Sequence, residues 1–529
     1  MPHNFEEETM NHFLRITSFI LVIALCCGFG ISFTPHFTFR ERSGRDTLKR
    51  SDFNFSVDHT ERIDQIKPLE ADSFSAAHFT SLKGITTFRG GPYRDNASVG
   101  RIEKRPVSLT VKWVFKTQPS GTWGGGAGWT GQPSIVRWPD SLRTIMNLNP
   151  DVINQTGFTE VIFGSLDGNI YFVDLETGKP SRKSIDIKNP IKGSVAIDPR
   201  GYPILYCGQG VSINHEFGFR IFSLIDQKLL YYINGYDSYA LRGWAAFDGS
   251  PLINPKNDRM YLGGENGLFY AAKLNSRFDR MKKKMSINPE VLKYRYSMKD
   301  GHLGIENSVA AYHDKIYFAD NHGYIQCLDV NTFKPLWVVL NHDDTDASLV
   351  VGPEGKIPFL YTGNEVDKQG DTGSAFLKKI NGLTGETVWE RKFDCLTLRG
   401  AHPVNGGLLS TPIAGKLKGR NKVIFCLSRY HGMDKGLLIA LDRATGKTVY
   451  EVTLNNYTWS SPVDFYDREG NLYIFLADSG GHVMLLDGDN GKVIYRIKIA
   501  NLFEASPIVF DNKIIIPSRP DEIFCLEIE

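Results

Sequence analysis

The sequence predicts an all-β protein, an eight-bladed β-propeller of four-stranded antiparallel blades closed by an N-terminal strand and preceded by one N-terminal transmembrane or signal helix. Eight times, a Ser- or Pro-marked entry leads into an apolar strand and then into a Gly- or Asp-centred hairpin. Five of these units add an Asp- or Asn-led turn before the next strand, as in GLLIALDRATGKTVY (436–450). One such unit cannot bury its own apolar face, so the copies must stack, and β-units of this length close into a propeller.

The composition fits a globular β-protein and gives no sign of a polyanionic partner. Apolar residues make up 41% of the 529 residues and charged residues 23%, while Gly (51) and aromatics (12%) suit tight turns. The formal net charge is only +2, so we expect no nucleic acid as partner.

An uncharged apolar segment, Ile16–Phe33, lies near the N-terminus. At ~1.5 Å per residue its length approaches the hydrocarbon thickness of a bilayer, so it is an uncleaved anchor or a signal peptide. We expect a tail and membrane anchor or signal segment over 1–35, a juxtamembrane linker over 36–83 and the propeller over 84–529. Basic residues just after the segment favour a cytoplasmic C-terminal side, although long domains often translocate despite such a bias.

The blade entries place the inner strands and also predict how the ring closes. Each entry has a small polar residue, often followed by Pro, which suits the first position of a strand. The entries are GQPSIV (131–136), KGSVAI (192–197), DGSPLI (248–253), ENSVAA (306–311), DASLVV (346–351), STPIAG (410–415), SSPVDF (460–465) and EASPIVF (504–510). The last unit ends with EIFCLEIE and lacks an outer strand, whereas VSLTVKWVFKT (107–117) is an unassigned strand with Trp113. We expect the early strand to complete the final blade, which removes an open edge.

Cysteine usage gives no disulfide framework. Beyond Cys26 and Cys27 in the apolar segment there are five cysteines, an odd number, and four of them lie inside apolar strand patterns. We expect buried free thiols that pack as small apolar residues.

The repeat resembles that of a known superfamily. The D-x-x-T-G-(K/E)-x-x-(W/Y) turn in VDLETGKP, INGLTGETVW and LDRATGKTVY is similar to the repeat of pyrroloquinoline-quinone (PQQ)-type β-propellers. TTFRGGPYRDN (86–96) resembles the F-R-G-x-x-x-R lead-in of that group, and the resemblance covers about residues 86–529. The superfamily contains quinone-dependent alcohol dehydrogenases and non-enzymatic members such as the propeller lipoprotein of the outer-membrane barrel-assembly machinery, so fold alone cannot choose between them. The resemblance implies an extracytoplasmic body, periplasmic or at the cell surface.

The resemblance to the enzymes of this group implies an active site of a particular composition, and the sequence matches that composition poorly. They use an adjacent-cysteine disulfide over the quinone, a Trp beneath it, a calcium held by Glu, Asn and Asp, and an Asp base. The only adjacent cysteines here are Cys26 and Cys27, and no C-x-x-C-H haem attachment is present. We therefore favour a non-enzymatic member and assign no catalytic residue. A quinone- or Ca²⁺-dependent oxidoreductase, with PQQ or Ca²⁺ as cofactor, is the alternative.

One constellation of carboxylates follows from aligning the eight entries. The residues two before each small polar position should form a ring at one mouth of the channel; they are Thr130, Lys192, Asp248, Glu306, Asp346, Leu409, Trp459 and Glu504. Like charges held close raise one another's pKa or require a cation, and carboxylate oxygens suit Ca²⁺. Asp248, Glu306 and Asp346 are therefore a candidate metal site. The alternative is a solvated rim whose acids cap local backbone amides.

The same mouth is expected to carry ligand-binding side chains. The candidates are Trp129, Trp244, Arg242, Trp459, Glu504, Arg399 and His402. Aromatic and Arg side chains in a concavity suit a planar ring, a sugar or a peptide loop, although Trp near propeller strands also packs between blades. The function predicted is a membrane-anchored extracytoplasmic module that binds a ligand or protein, or assists assembly, through its channel mouth. A carbohydrate partner, or a carbohydrate-active propeller, remains a third interpretation.

Overall fold

The computed structural model describes residues 38–39, 53–59, 74–76, 79–119, 123–128, 131–213, 215–298, 303–400 and 404–529. The predicted N-terminal segment Ile16–Phe33, and the whole of 1–35, lie outside these residues. Among the residues that are described, no helix combines the length and the apolar character needed to cross a membrane.

Eight antiparallel sheets confirm the predicted propeller, and each blade is ordered from its inner to its outer strand. Blade 1 is Ser134–Arg137, Thr159–Gly164, Asn169–Asp174 and Ile185–Asp186; blade 2 is Ala196–Ile197, Ile204–Cys207, Gly218–Ser223 and Leu229–Asn234. Blade 3 is Leu252–Asn254, Arg259–Gly263, Leu268–Lys273 and Glu290–Ser297; blade 4 is Ala310–Tyr312, Lys315–Ala319, Tyr324–Asp329 and Pro335–Leu340.

The second half of the ring repeats the arrangement. Blade 5 is Val350–Glu354, Ile357–Thr362, Thr372–Asn381 and Thr387–Leu396; blade 6 is Ile413–Ala414, Lys422–Ser428, Gly436–Asp442 and Thr448–Leu454. Blade 7 is Val463–Tyr466, Leu472–Ala477, His482–Asp487 and Val493–Lys498; blade 8 is Ile508–Phe510, Lys513–Pro517, Glu522–Ile528 and Leu109–Lys116. A two-stranded ladder of Glu365–Val366 and Gly406–Gly407 extends blade 6.

The ring closes as the sequence predicts. Leu109–Lys116 pairs antiparallel with Glu522–Ile528, and Trp113 lies opposite Cys525 in the register. A strand that precedes blade 1 in the chain therefore supplies the outer strand of the last blade. This pairing joins the two ends of the array and covers the edge that Glu522–Ile528 would otherwise leave open.

A few further strands and single-turn helices lie outside the four-stranded repeat of the blades. Within 36–83, which the sequence indicates as a linker, Asn54–His59 pairs antiparallel with the outer strand of blade 3, and Thr38–Phe39 pairs parallel with that of blade 4. A short hairpin of Arg277–Asp279 and Lys284–Ser286 stands between the third and outer strands of blade 3. The described helices are single turns: Phe88–Gly90, Asp140–Arg143, Pro150–Ile153 and Leu417–Gly419.

The turn of the repeat packs against the aromatic residue in the outer strand of the neighbouring blade. In the turn of blade 6, Asp442 Oδ1 accepts hydrogen bonds from the backbone N–H and the Oγ1 hydroxyl of Thr445. The next residue, Gly446, has φ +69°, and a Cβ there would lie 2.8 Å from Cδ2 of Trp389 in blade 5. Glycine is therefore required twice, for the left-handed backbone and for the flat contact with the ring. Equivalent contacts join Gly178 to Trp113, Gly385 to Trp337 and Gly491 to Tyr450.

The cysteines pack inside these blades as expected. All five cysteines among the described residues are buried and free, which confirms that the propeller body relies on packing rather than on disulfides. Burial raises the pKa of the Cys395, Cys426 and Cys525 thiols to about 12. These thiols are therefore uncharged and behave as small apolar residues.

Hydroxyls at the blade entries link neighbouring inner strands. The Oγ of Ser308 accepts the backbone N–H of Ser250, and the same bond recurs from blade to blade. The further donor–acceptor pairs are Ser308 to Ser348, Ser348 to Thr411, Thr411 to Ser461, Ser461 to Ser506 and Gln132 to Ser194. These hydroxyls therefore link the inner strands at six of the eight junctions between neighbouring blades of the ring, which supports the alignment of the entries.

A segment after Ile85 fills the channel on one side of this ring. Lys83–Ile85 pairs with the inner strand of blade 1 and Ser98–Val99 with that of blade 8. Between them the chain crosses the channel and carries two buried guanidinium groups. Arg89 donates to the carbonyl oxygens of Pro462 (2.9 Å) and Pro412 (3.1 Å), and Arg94 donates to that of Val309 (2.8 Å). We call residues 86–97 the channel plug.

Candidate functional site

The residues two before each entry hydroxyl lie on the side of the ring away from the plug, and three of them belong to one acidic cluster. Asp248, Glu306 and Asp346 come from blades 3, 4 and 5 and interact electrostatically. Oxygen atoms of Asp248, Glu265 and Glu306 all lie within 4.8 Å of one another. The mouth cluster comprises Asp248, Glu265, Glu306, Asp344, Asp346 and Glu365.

Three members of the mouth cluster were missed by the sequence analysis: Asp344, which lies two residues before Asp346, and Glu265 and Glu365. Glu265 and Glu365 lie in the turns that follow the second strands of blades 3 and 5, within LGGENG (262–267) and YTGNEVD (361–367). The backbone N–H of Glu265 donates to the carbonyl oxygen of Ala246, two residues before Asp248, which brings the turn to the mouth. Aligning these turns as well as the entries could have found both residues, because each second strand returns to the mouth.

Several oxygens of the mouth cluster are buried without a hydrogen-bond partner. Within the described part of the chain this holds for Oδ1 of Asp248, Oε1 of Glu265 and Oε1 of Glu365, while Oε2 of Glu365 accepts from Asn405 at 3.1 Å. A buried acceptor that is left unsatisfied costs free energy, so such groups in a native fold call for a bound ion, a water or a functional role. Glu306 and Asp346 are partly exposed, so solvent reaches the cluster.

The cluster holds protons more tightly than isolated carboxyls do. Burial raises the pKa of Glu265 well above its ordinary value, and the neighbouring Glu306 carboxylate raises it further. Burial and Glu306 act in the same way on the pKa of Asp346, and burial and Asp346 on that of Glu365. Each group is a like charge in the field of the others, so the cluster gains by taking up a proton or a cation.

Lysines neutralise part of this charge. Nζ of Lys192 lies 2.9 Å from Oδ2 of Asp248, and both side chains are almost fully buried. Burial alone would lower the pKa of Lys192, but the carboxylates of Asp248, Glu265 and Glu306 together raise it above its usual range. Lys192 therefore stays charged. Lys368 adds a weaker positive field at Asp344.

The other candidate ligand-binding residues are spread around the mouth. Trp244 is 43% exposed ahead of blade 3, whereas Trp459 is partly buried ahead of blade 7, on the opposite side of an eight-bladed ring. Arg399 donates to the carbonyl oxygen of Asp367 at 3.0 Å, and Glu504 accepts from Arg519 at 2.9 Å. Trp129 and His402 lie outside the described residues, as does Thr130 of the predicted ring.

Arg242 lies beside the cluster rather than in it. A Cβ on Gly304 would lie 2.1 Å from Nη1 of Arg242 and 2.8 Å from the carbonyl oxygen of Glu265. Glycine at 304 therefore makes room for the guanidinium. The loop that carries Arg242 also exposes Tyr236, Leu241 and Trp244, three large apolar side chains within nine residues.

Comparisons with known proteins agree with the fold and the repeat. A family model described as "Outer membrane protein assembly factor BamB" matches residues 434–527, which span blades 7 and 8 and part of blade 6. A search of curated protein sequences finds no match. Many solved structures share the fold.

Three of these structures illustrate the range of proteins that share the fold. Quinohemoprotein alcohol dehydrogenase from Comamonas testosteroni has a TM-score of 0.58 at 10% identity, over 88% of this chain and 83% of that one. BamB from Moraxella catarrhalis has a TM-score of 0.47 at 14% identity, over 79% and 99%. A europium-containing methanol dehydrogenase has a TM-score of 0.42 at 13% identity, over 84% and 98%. The chain thus has the fold and the repeat of the PQQ-type β-propellers, as its sequence indicates.

Proposed function

We propose that the chain is a binding module whose channel mouth takes up a cation through Asp248, Glu306 and Asp346, with Glu265 as a further ligand. The observation that carries the proposal is that oxygens of Asp248, Glu265 and Glu306 lie within 4.8 Å of one another. Asp346 lies in the electrostatic field of Glu306, and several buried oxygens of the cluster accept no hydrogen bond from a described residue. Carboxylate oxygens from several chain segments are what Ca²⁺ requires, because it takes six to eight oxygen ligands.

The bound cation would help to hold a larger ligand at the same mouth. Around that mouth, aromatic, cationic and anionic contacts would come from Trp244, Arg242, Arg399, Trp459 and Glu504. The loop that exposes Tyr236, Leu241 and Trp244 would suit a protein surface, because large apolar side chains exposed together often mark an interaction site. This supports the interpretation as a protein-binding or assembly module, to which Trp129 and His402 would also contribute.

The cellular setting is part of the same proposal. We place the body outside the cytoplasm, tethered through the apolar segment of residues 1–35, with 36–83 leading into the propeller of 84–529. The apolar run Ile16–Phe33 and the resemblance to PQQ-type propellers support this placement.

Thermal unfolding tests the cation site. We expect Ca²⁺ at about one hundred times its Kd to raise the Tm of the chelator-treated protein by about 3 °C, because a ligand that binds only the folded state stabilises it. The double variant Glu306→Gln/Asp346→Asn should lose this rise. The matched control is Glu216→Gln, which removes a mouth-side carboxylate that is 76% exposed. Equal Tm values with Ca²⁺ and with chelator in the wild type would refute the site.

A quinone-dependent oxidoreductase is the second candidate, and the mouth cluster is the observation that favours it. The residues fit a metal better than they fit the quinone. The described cysteines lie singly in separate strands, so none of them can supply the adjacent-cysteine disulfide that the resemblance implies, and Cys26 and Cys27 lie outside the described residues. Titration with PQQ and Ca²⁺ tests this candidate, because a bound quinone would bring its absorbance to the purified protein. Peptide and sugar arrays then separate a protein partner from a carbohydrate.

A further inference from the structure

The connection between the third and outer strands of blade 3 differs from that of the repeat. In blades 1, 6 and 7 this connection is a short acid-led turn that ends in a lysine: Lys179, Lys447 or Lys492. Blade 3 instead carries a projecting hairpin of Arg277–Asp279 and Lys284–Ser286. Because strands alternate in direction along a blade, these connections lie on the face opposite the mouth. The hairpin is therefore remote from the mouth cluster.

The tip of this hairpin, residues 280–284, reads Arg-Met-Lys-Lys-Lys and is exposed throughout. Met281 is 93% exposed, the largest exposed fraction of any large apolar side chain in the described residues. The side chain of Lys282 is 80% exposed, and its Nζ lies 3.6 Å from Asp279. Arg277 is exposed at the base, so the hairpin carries five exposed basic residues together with the exposed Met281.

The base of the hairpin holds this tip in place. Met285 is only 4% exposed, and the Phe278 ring packs against Tyr202 of blade 2 with centroids 5.7 Å apart. The guanidinium of Arg280 lies 5.4 Å from the Phe278 ring. Packing therefore fixes the hairpin on the propeller face, and Met281 is presented to solvent although its exposure gains nothing for the fold.

We propose that this basic hairpin docks the propeller onto a bilayer with anionic headgroups. The five cations match negatively charged headgroups, and Met281 enters the boundary between headgroups and acyl chains. The apolar tip favours a bilayer over a nucleic acid, because phosphate backbone contacts use the cations alone and leave a central methionine without a role.

Vesicle co-sedimentation of the full chain tests the proposal. The wild type should bind vesicles with about 30% anionic lipid more tightly than neutral vesicles. Lys282→Glu/Lys283→Glu/Lys284→Glu should weaken binding to the anionic vesicles about tenfold or more, since each basic residue near such a surface adds about 1 kcal/mol. Met281→Asp should also weaken it, whereas Met281→Leu should retain it. Comparing vesicles and variants cancels any contribution from residues 1–35.

The repeat supplies a matched control. Lys179→Glu/Lys447→Glu/Lys492→Glu makes the same change in charge on the same face, in exposed turns of blades 1, 6 and 7, and should retain most of the binding. The proposal fails if this control weakens binding as much as the hairpin variant does, or if the wild type does not prefer anionic vesicles. It also fails if single-stranded RNA binds the hairpin and displaces the vesicles at equal phosphate concentration.

Discussion

The two sides of the entry-hydroxyl ring treat buried charge in opposite ways. In the channel plug, Arg94 donates to the carbonyl oxygens of Val309, Phe88 and Ser250 and to the hydroxyl of Thr87. In the mouth cluster, buried carboxylate oxygens of Asp248, Glu265 and Glu365 accept no hydrogen bond from any described residue. Every guanidinium nitrogen of Arg89 and Arg94 in the plug donates a hydrogen bond, whereas several carboxylate oxygens of the cluster accept none.

We infer from this difference that the plug serves the stability of the fold and that the mouth cluster serves binding. A buried charge whose donors are all used rigidifies the fold and presents nothing to a ligand. Buried acceptors without donors cost stability, and a native fold retains them where a ligand offsets that cost. The plug therefore connects inner strands across the channel, and the mouth cluster is the place where we propose that a cation binds.

The largest effect of a single substitution is expected in the plug. Arg94→Met removes a guanidinium and leaves several buried acceptors without donors, so we expect the free energy of unfolding to fall by about 3 kcal/mol. Chemical denaturation followed by circular dichroism measures this loss. The folded fraction should keep the Tm rise with Ca²⁺, because the cluster residues are unchanged. Arg101→Met is the control, since Arg101 is exposed just beyond the plug; equal losses in both variants would contradict the plug's role.

A dependence of stability on pH is expected at the mouth. Burial and neighbouring carboxylates raise the pKa of Glu265, Asp346 and Glu365, so the folded state binds more protons than the unfolded state above pH ~4. The free energy of unfolding of the chelator-treated protein should therefore fall as pH rises from about 4. The slope should be about 1.4 kcal/mol per pH unit for each extra proton that the folded state holds. Melting curves from pH 4 to 8 measure this fall.

Two further measurements, one with added Ca²⁺ and one on a variant, test the pH prediction more closely. Ca²⁺ should flatten the fall, because it replaces the protons at high pH. Asp346→Asn should also reduce the fall, since it removes one titrating charge. A stability that is independent of pH between 4 and 8 in the chelator-treated wild type would show that the carboxyls are not coupled.

The smallest effect is expected at Trp244. Trp244→Ala should change the free energy of unfolding by no more than about 0.5 kcal/mol, because the side chain is 43% exposed. It should leave the Tm rise with Ca²⁺ unchanged and weaken binding of the larger ligand found on the arrays. A stability loss as large as that of Arg94→Met would make Trp244 a packing residue, the alternative that the sequence leaves open.

The repeat made the fold predictable, whereas part of the site lies in connections that the repeat does not describe. The entries predict the hydroxyl ring, the closing strand near Trp113 and the approach of Asp248, Glu306 and Asp346, because each rests on a residue at a fixed repeat position. Glu265 and Glu365 lie in turns of different composition, so their arrival at the mouth depends on strand direction rather than on a motif. The sequence of the plug could be matched only to the lead-in of a known superfamily. Its position in the channel could not be predicted, because its arginines bind backbone carbonyl oxygens, and these carry no sequence signature.

The most direct test of the mouth cluster is calorimetric titration of Ca²⁺ into the chelator-treated protein at pH 7, in two buffers of different ionisation enthalpy. Cation binding at carboxyls that hold protons must release them. We predict saturable binding with a net release of protons, and the loss of both in Glu306→Gln/Asp346→Asn. Binding without proton release, or unchanged binding in that variant, would show that the cation is held elsewhere and would contradict the account.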